Sequence, residues 1–180
     1  LEAGEQRYDE HAQRAAFFSL VNSNGDAVDV TAADMVWLYE NKLCKNPPEA
    51  RAVYDELLAA AHYGKCPFCA HSPASTIDHY FEKTRHPLYA ITPINLIPSC
   101  YNCNFARRHH CPKCEDEQTL HPYYDDLGDD QWLIASVVES SPPSVLFDAK
   151  PPRSWPDNLQ ARLKCGFDLF GLSALYTSNA

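Results

Sequence analysis

Two short cysteine pairs, Cys66-Pro67-Phe68-Cys69 and Cys100-Tyr101-Asn102-Cys103, constrain the fold of this chain more than any other feature. Two residues between cysteines form a tight knuckle that aims both thiolates at one point, as a tetrahedral zinc site requires. Closing both knuckles on one ion ties together segments far apart in sequence, and structural zinc contributes about 10 kcal/mol or more of apparent binding free energy. Cys66, Cys69, Cys100 and Cys103 are therefore expected to hold a structural Zn2+ rather than disulfides. Four ligands leave no open position, so any catalytic metal is expected elsewhere.

A third pair, Cys111-Pro112-Lys113-Cys114, follows His109-His110. With one of these histidines, or with Cys44, it could close a second zinc site, but no fourth ligand stands out. Cys44 and Cys165 are isolated and read as free buried thiols.

The chain has 180 residues, of which 45% are hydrophobic and 12% aromatic, a globular composition. No apolar run approaches the roughly 18 to 20 residues that span a bilayer, and the charged start has no leader-like core. A cytoplasmic protein without membrane contact is expected. The net charge of −9 is unevenly spread: residues 62–114 hold six Lys/Arg against two Asp/Glu, whereas both flanks are acidic. A basic window framed by acid can engage phosphates, while the flanks narrow the approach of a polyanion.

Helical spacing runs from Glu5 to Val21 and breaks at the turn Asn22 to Asp26. Thr31 with Asp34 suggests a capping box for a second helix through Leu43. Asn46-Pro47-Pro48 stops it, and a third helix from Pro48 or Glu49 should bury Ala52, Val53, Leu57, Leu58 and Ala61. The centre then changes character. Thr76 to Tyr80 and Ile94 to Ile97 read as strands separated by a loop, and a helix follows from Cys100 towards Pro112. After His121-Pro122-Tyr123-Tyr124, read as packing, two β-rich runs flank Ser140-Ser141-Pro142-Pro143. Asp157 or Asn158 should then cap a final helix. Trp37, Trp132 and Trp155 read as core or interface.

Between the knuckles lies Asp78-His79, and Asn104 directly follows the second. A carboxylate and an amide oxygen suit magnesium or manganese better than zinc, which makes Asp78 and Asn104 candidate ligands of a hard cation. A histidine near its ordinary pKa can take a proton from water at neutral pH, which makes His79 the candidate general base.

The run Cys66-x2-Cys69, Asp78-His79, Asn95-Leu96-x-Pro98-x-Cys100-x2-Cys103-Asn104 resembles the HNH endonucleases, whose fold is the ββα-metal unit. The resemblance spans roughly residues 62–125. It implies a zinc-stabilised ββα-metal core (62–125); with the N-terminal helical segment (1–61) and the C-terminal hairpin and helix (126–180) read above and expected to pack on that core, the fold expected is α+β. It also implies His79 as base, Asp78 and Asn104 as ligands of Mg2+ or Mn2+, and Asn95 pinning the loop between the strands. Asn104 stands where many members carry histidine, and Glu82 where many carry proline. Arg107 and Arg108 replace a usual lysine and are expected to contact the substrate phosphate.

The expected function is metal-dependent hydrolysis of phosphodiester bonds, in DNA ahead of RNA. The acidic flanks suggest docking on a protein partner, such as an ATPase subunit of a defence system against phage or other foreign DNA. The alternative is a non-catalytic zinc module that binds nucleic acid or protein on the same scaffold.

Overall fold

The computed structural model describes residues 2–14, 16, 31–45, 48–108 and 110–180. The expected turn at Asn22 to Asp26, the far end of the first expected helix, the Asn46-Pro47 stop and His109 lie outside these residues. The architecture mixes helix and strand. Its order is α1 (Glu2–Gln13), α2 (Ala32–Leu38), α3 (Pro48–Ala59), β1 (Thr76–His79), β2 (Leu96–Ser99), α4 (Tyr101–Arg107), β3 (Leu133–Val138), β4 (Ser144–Ala149), α5 (Asp157–Leu169) and α6 (Leu172–Thr177). Among the described residues, no helix is long and apolar enough to cross a membrane.

β1 and β2 pair antiparallel, from Thr76 opposite Ser99 to His79 opposite Leu96. Because successive strand residues point to opposite faces, this short ribbon sorts its neighbours into two layers. Ile77 and Leu96 pack with Met35, Tyr39 and Ala90, under α2 and α3. Ile97 packs on the other side with Tyr8 and Ala12 of α1 and with Tyr80, Phe81 and Tyr89. Both layers fix the ends of β1, where the cleft described below opens.

The capping box of α2 forms as expected. Asp34 N–H donates to Thr31 Oγ1 at 3.2 Å, and Thr31 N–H donates to Asp34 Oδ2 at 2.9 Å. The helix then widens into a π-helical turn, Tyr39–Leu43, which delivers the buried Tyr39 ring against the imidazole of His79, 4.3 Å between centroids. α3 begins at Pro48 but buries less than its pattern suggests. Ala52 and Val53 are exposed, Leu57 and Leu58 half-buried, and Ala61 is buried beyond the helix end. Tyr54 instead provides the tie to the ribbon, its hydroxyl accepting Ile77 N–H at 3.3 Å.

The β3–β4 hairpin forms where expected, with Leu133 opposite Ala149 and Val138 opposite Ser144. The final helix does not run through. Pro156 rather than Asp157 or Asn158 occupies its N-cap, and Gly171, at φ +60°, turns the chain between α5 and α6. That bend folds α6 back onto the first knuckle, where Tyr176 O–H donates to the Cys69 carbonyl at 2.8 Å. Phe170 stacks on Phe68 of the knuckle, 5.0 Å between centroids.

Candidate functional site

The sulfurs of Cys66, Cys69, Cys100 and Cys103 all lie within 4.8 Å of one another, and all four residues are buried. Cys69 and Cys100 sulfurs are 4.0 Å apart, close to the edge of about 3.8 Å in a tetrahedron of thiolates around zinc. The first knuckle is shaped by backbone bonds. Ala70 N–H donates to the Cys66 carbonyl at 2.7 Å, with Ala70 itself left-handed at φ +50°. The second knuckle is the first turn of α4, capped by the Cys100 sulfur, which accepts Cys103 N–H at 3.5 Å. Hydrogen bonds from Cys103 and Cys66 pull the Cys69 thiol well below its ordinary pKa. Such a set of soft, crowded, buried donors is compatible with a structural zinc.

Cys111 and Cys114 are exposed. Among the described residues, the four-cysteine cluster is the one gathered group of three or more metal-type side chains. Cys44 and Cys165 are half-buried rather than buried, and the Cys165 thiol donates to the Glu117 carbonyl at 3.0 Å.

A cleft of about 250 Å³ is lined by Asp78, His79, Asn104, Arg107, Arg108 and His110, among others. Asp78 and His79 point to alternate faces of β1, yet both reach this cleft because the strand ends at His79. His79 Nε2 lies 2.9 Å from the Ala90 carbonyl. A carbonyl can only accept, so Nε2 carries the proton and Nδ1 keeps the lone pair in the neutral ring. The sequence suggests a histidine near its ordinary pKa; burial instead pushes His79 down to about 4, which keeps the ring neutral at pH 7.

Burial acts on Asp78 in the opposite sense, raising its pKa to about 6 against the attraction of Arg107. Asp78 Oδ2 is buried without a hydrogen-bond partner, although Arg107 Nε lies 3.2 Å away. The Asn104 amide spends Nδ2 on Thr76 Oγ1 at 3.1 Å and on the Ile77 carbonyl at 3.4 Å. Its Oδ1 is the atom left for a cation. The Asp78 carboxylate, ion-paired with Arg107, and the Asn104 amide thus border the same cleft, and oxygen donors of these types are the kind that hard cations take.

The two arginines part company. Arg107 is only 8% exposed, its Nη1 donating to Thr119 Oγ1 at 3.0 Å and its Nη2 to the Tyr80 carbonyl at 2.6 Å. Its plane lies against the rings of Tyr80 and Phe68. A guanidinium held this way braces Asp78, and contact with a substrate phosphate would require breaking those bonds. Arg108, at the end of α4, is exposed and lines the cleft.

Asn95 is fully buried, and its side chain clamps the loop between the strands. Oδ1 accepts Phe81 N–H at 2.6 Å and the Tyr8 hydroxyl at 3.2 Å, while Nδ2 donates to the Phe81 and Tyr89 carbonyls at 3.2 and 2.9 Å. Replacing Asn95 with alanine orphans several buried backbone groups and should cost about 2 to 4 kcal/mol. Denaturant unfolding checks this, and a loss below about 1 kcal/mol would contradict the clamp.

His121, which the sequence places only as packing, sits at the end of this network with no exposed surface. Its Nδ1 accepts Tyr123 N–H at 3.2 Å, so the neutral ring donates from Nε2 to the Tyr8 hydroxyl, 2.9 Å away. Burial, then Arg107 and Arg162, push its pKa down to about 2. The unfolded histidine binds a proton near pH 6.5 and the folded one does not, so stability falls as pH drops from about 6.5 towards 2. The opposite shifts of Asp78 and His79 nearly cancel between about pH 4 and 6, because folded and unfolded states then hold one proton each on the pair. A His121→Gln variant should therefore lose less stability than wild type between pH 7 and 5; equal losses would contradict the assignment.

Sequence reasoning missed the Asp78–Arg107 pair, the Tyr39 ring under His79 and the chain from His121 through Tyr8 to Asn95. Only the position of Arg107, one turn after Cys103 on the buried side of α4, hinted at its burial.

No family model matches this chain, and no solved structure matches it. It is 30% identical over 156 residues to Protein ea31 of Escherichia phage lambda, an alignment covering 84% of this chain and 52% of that protein. The chain thus spans about half the length of that curated relative.

Proposed function

We propose that this chain is a metal-dependent phosphodiester hydrolase of the HNH type, with DNA as its substrate. The observation that carries the reading is one cleft lined by Asp78, His79 and Asn104 from an antiparallel ribbon and the helix that follows it. The zinc clamp acts as scaffold, since a four-thiolate shell offers no position to substrate.

In this reading the Ala90 carbonyl holds His79 in the tautomer whose Nδ1 takes the proton from the attacking water. The Asp78 carboxylate and Asn104 Oδ1 would hold a magnesium or manganese ion, which would supply positive charge at the phosphoryl group and leaving oxygen. Arg107 keeps the buried Asp78 carboxylate in place. Arg108, exposed on the cleft wall, meets the phosphate, and Lys83 lines the same cleft with Glu40 3.4 Å away.

The zinc-loaded chain incubated with linear and supercoiled DNA should give products with magnesium or manganese and none with EDTA. A non-catalytic binding module predicts the opposite pattern: DNA retained in a mobility shift, with no product under any metal. That pattern would end the hydrolase reading.

A further inference from the structure

The outward face of α4 carries three side chains in one line, and the chemistry proposed for the cleft uses only the last of them. Tyr101 and Phe105 are 66% and 55% exposed. They lie one helical turn apart, with ring centroids 6.1 Å apart and planes 23° from parallel. The Arg108 guanidinium lies 5.1 Å over the Phe105 ring. Buried neighbours are not what orders this row, for Cys103 and Arg107 occupy the opposite, buried side of the helix.

Two large rings standing in water on a seven-residue helix gain little beyond their contact with each other. Near-parallel rings followed by a guanidinium do make a surface on which flat, apolar, anion-linked groups can stack. The electrostatics select the same class of occupant. α4 has no acidic residue, and Arg108 both ends the row and lines the cleft. Flat rings that end in a guanidinium suit bases linked by phosphates, and α4 carries no carboxylate to repel them. Bases in a duplex are stacked on each other and cannot offer their faces to such rings; bases of a single strand can.

We propose that Tyr101, Phe105 and Arg108 form a stacking platform for single-stranded nucleic acid, which leads the strand to the cleft. The platform itself stands on the geometry of α4; its delivery of a phosphodiester to Asp78 and His79 rests on the hydrolase reading. Single strands, or unpaired regions within longer DNA, are then the favoured substrate class.

Fluorescence anisotropy without added magnesium tests the platform apart from cleavage, using labelled oligo-dT and a mixed-sequence duplex of equal length at low salt. The zinc-loaded wild type should bind the single strand more tightly than the duplex. A Y101A/F105A double variant should lose about tenfold or more in single-strand affinity, with zinc content and duplex affinity unchanged. Phe105→Trp, which keeps a stacking ring, should retain binding. The proposal is overturned if the double variant binds oligo-dT like wild type, if wild type prefers the duplex, or if neither probe binds. Because no cation is added, a chain that binds oligo-dT through these rings but never cleaves supports the platform while refuting the hydrolase reading.

Discussion

Replacing Cys66 or Cys100 with serine should leave a chain that retains little zinc and no longer unfolds cooperatively. Serine offers a hydroxyl that stays protonated where zinc requires a soft anion, so the closed shell loses a quarter of its donors. Structural zinc contributes about 10 kcal/mol or more, comparable with the whole stability of a domain, about 5 to 15 kcal/mol. The consequences spread beyond the ion. The four cysteines pack with Ala149, Phe167 and Leu172, so the clamp is also the point where α5, α6 and the hairpin meet the ribbon. Cys100 in addition caps α4, the helix that presents Asn104. Metal content and calorimetric unfolding of the variants check this expectation. Cys111→Ser and Cys165→Ser serve as controls that should keep both zinc and fold. One zinc per chain with a wild-type melt in Cys66→Ser would refute the clamp.

The second large effect is expected at His79. His79→Ala should lower DNA cleavage by roughly 10²- to 10⁴-fold, the usual worth of a general base, while zinc content is unchanged. Alanine also removes the donor to the Ala90 carbonyl and the ring packed on Tyr39, so some loss of stability is expected alongside. His79→Gln separates the two effects. Its amide can still donate to Ala90 but cannot act as a base at neutral pH, so it should approach wild-type stability while remaining as inactive as the alanine variant. Cleavage at the wild-type rate by either variant would remove His79 from the chemistry.

What the sequence made legible was local. The knuckles, the ribbon, the hairpin and the Thr31 capping box each follow from residues within a few positions of one another, and each is present. Asp78, His79 and Asn104 line one cleft, because β1 pairs with β2 and β2 runs directly into the second knuckle, where α4 begins. What stayed hidden depends on partners distant in sequence. Arg107 looked like an outward charge, but Thr119 and the Tyr80 carbonyl supply acceptors that make its burial tolerable. Asn158 looked like a cap, yet its amide donates to Glu115. His121 and Tyr8 stand 113 positions apart, and no short-range pattern announces their bond.

In the proposed division of labour, zinc holds the fold and a separate hard cation at Asp78 and Asn104 serves the cleft. Metal content and DNA cleavage measured on the same sample test it most directly. After brief exposure to EDTA and desalting, the chain should retain one zinc and cleave nothing, and magnesium alone should restore cleavage in wild type but not in Asp78→Ala. Cleavage that persists without magnesium and tracks zinc content, or no cleavage by the zinc-loaded chain with magnesium or manganese, would contradict the account.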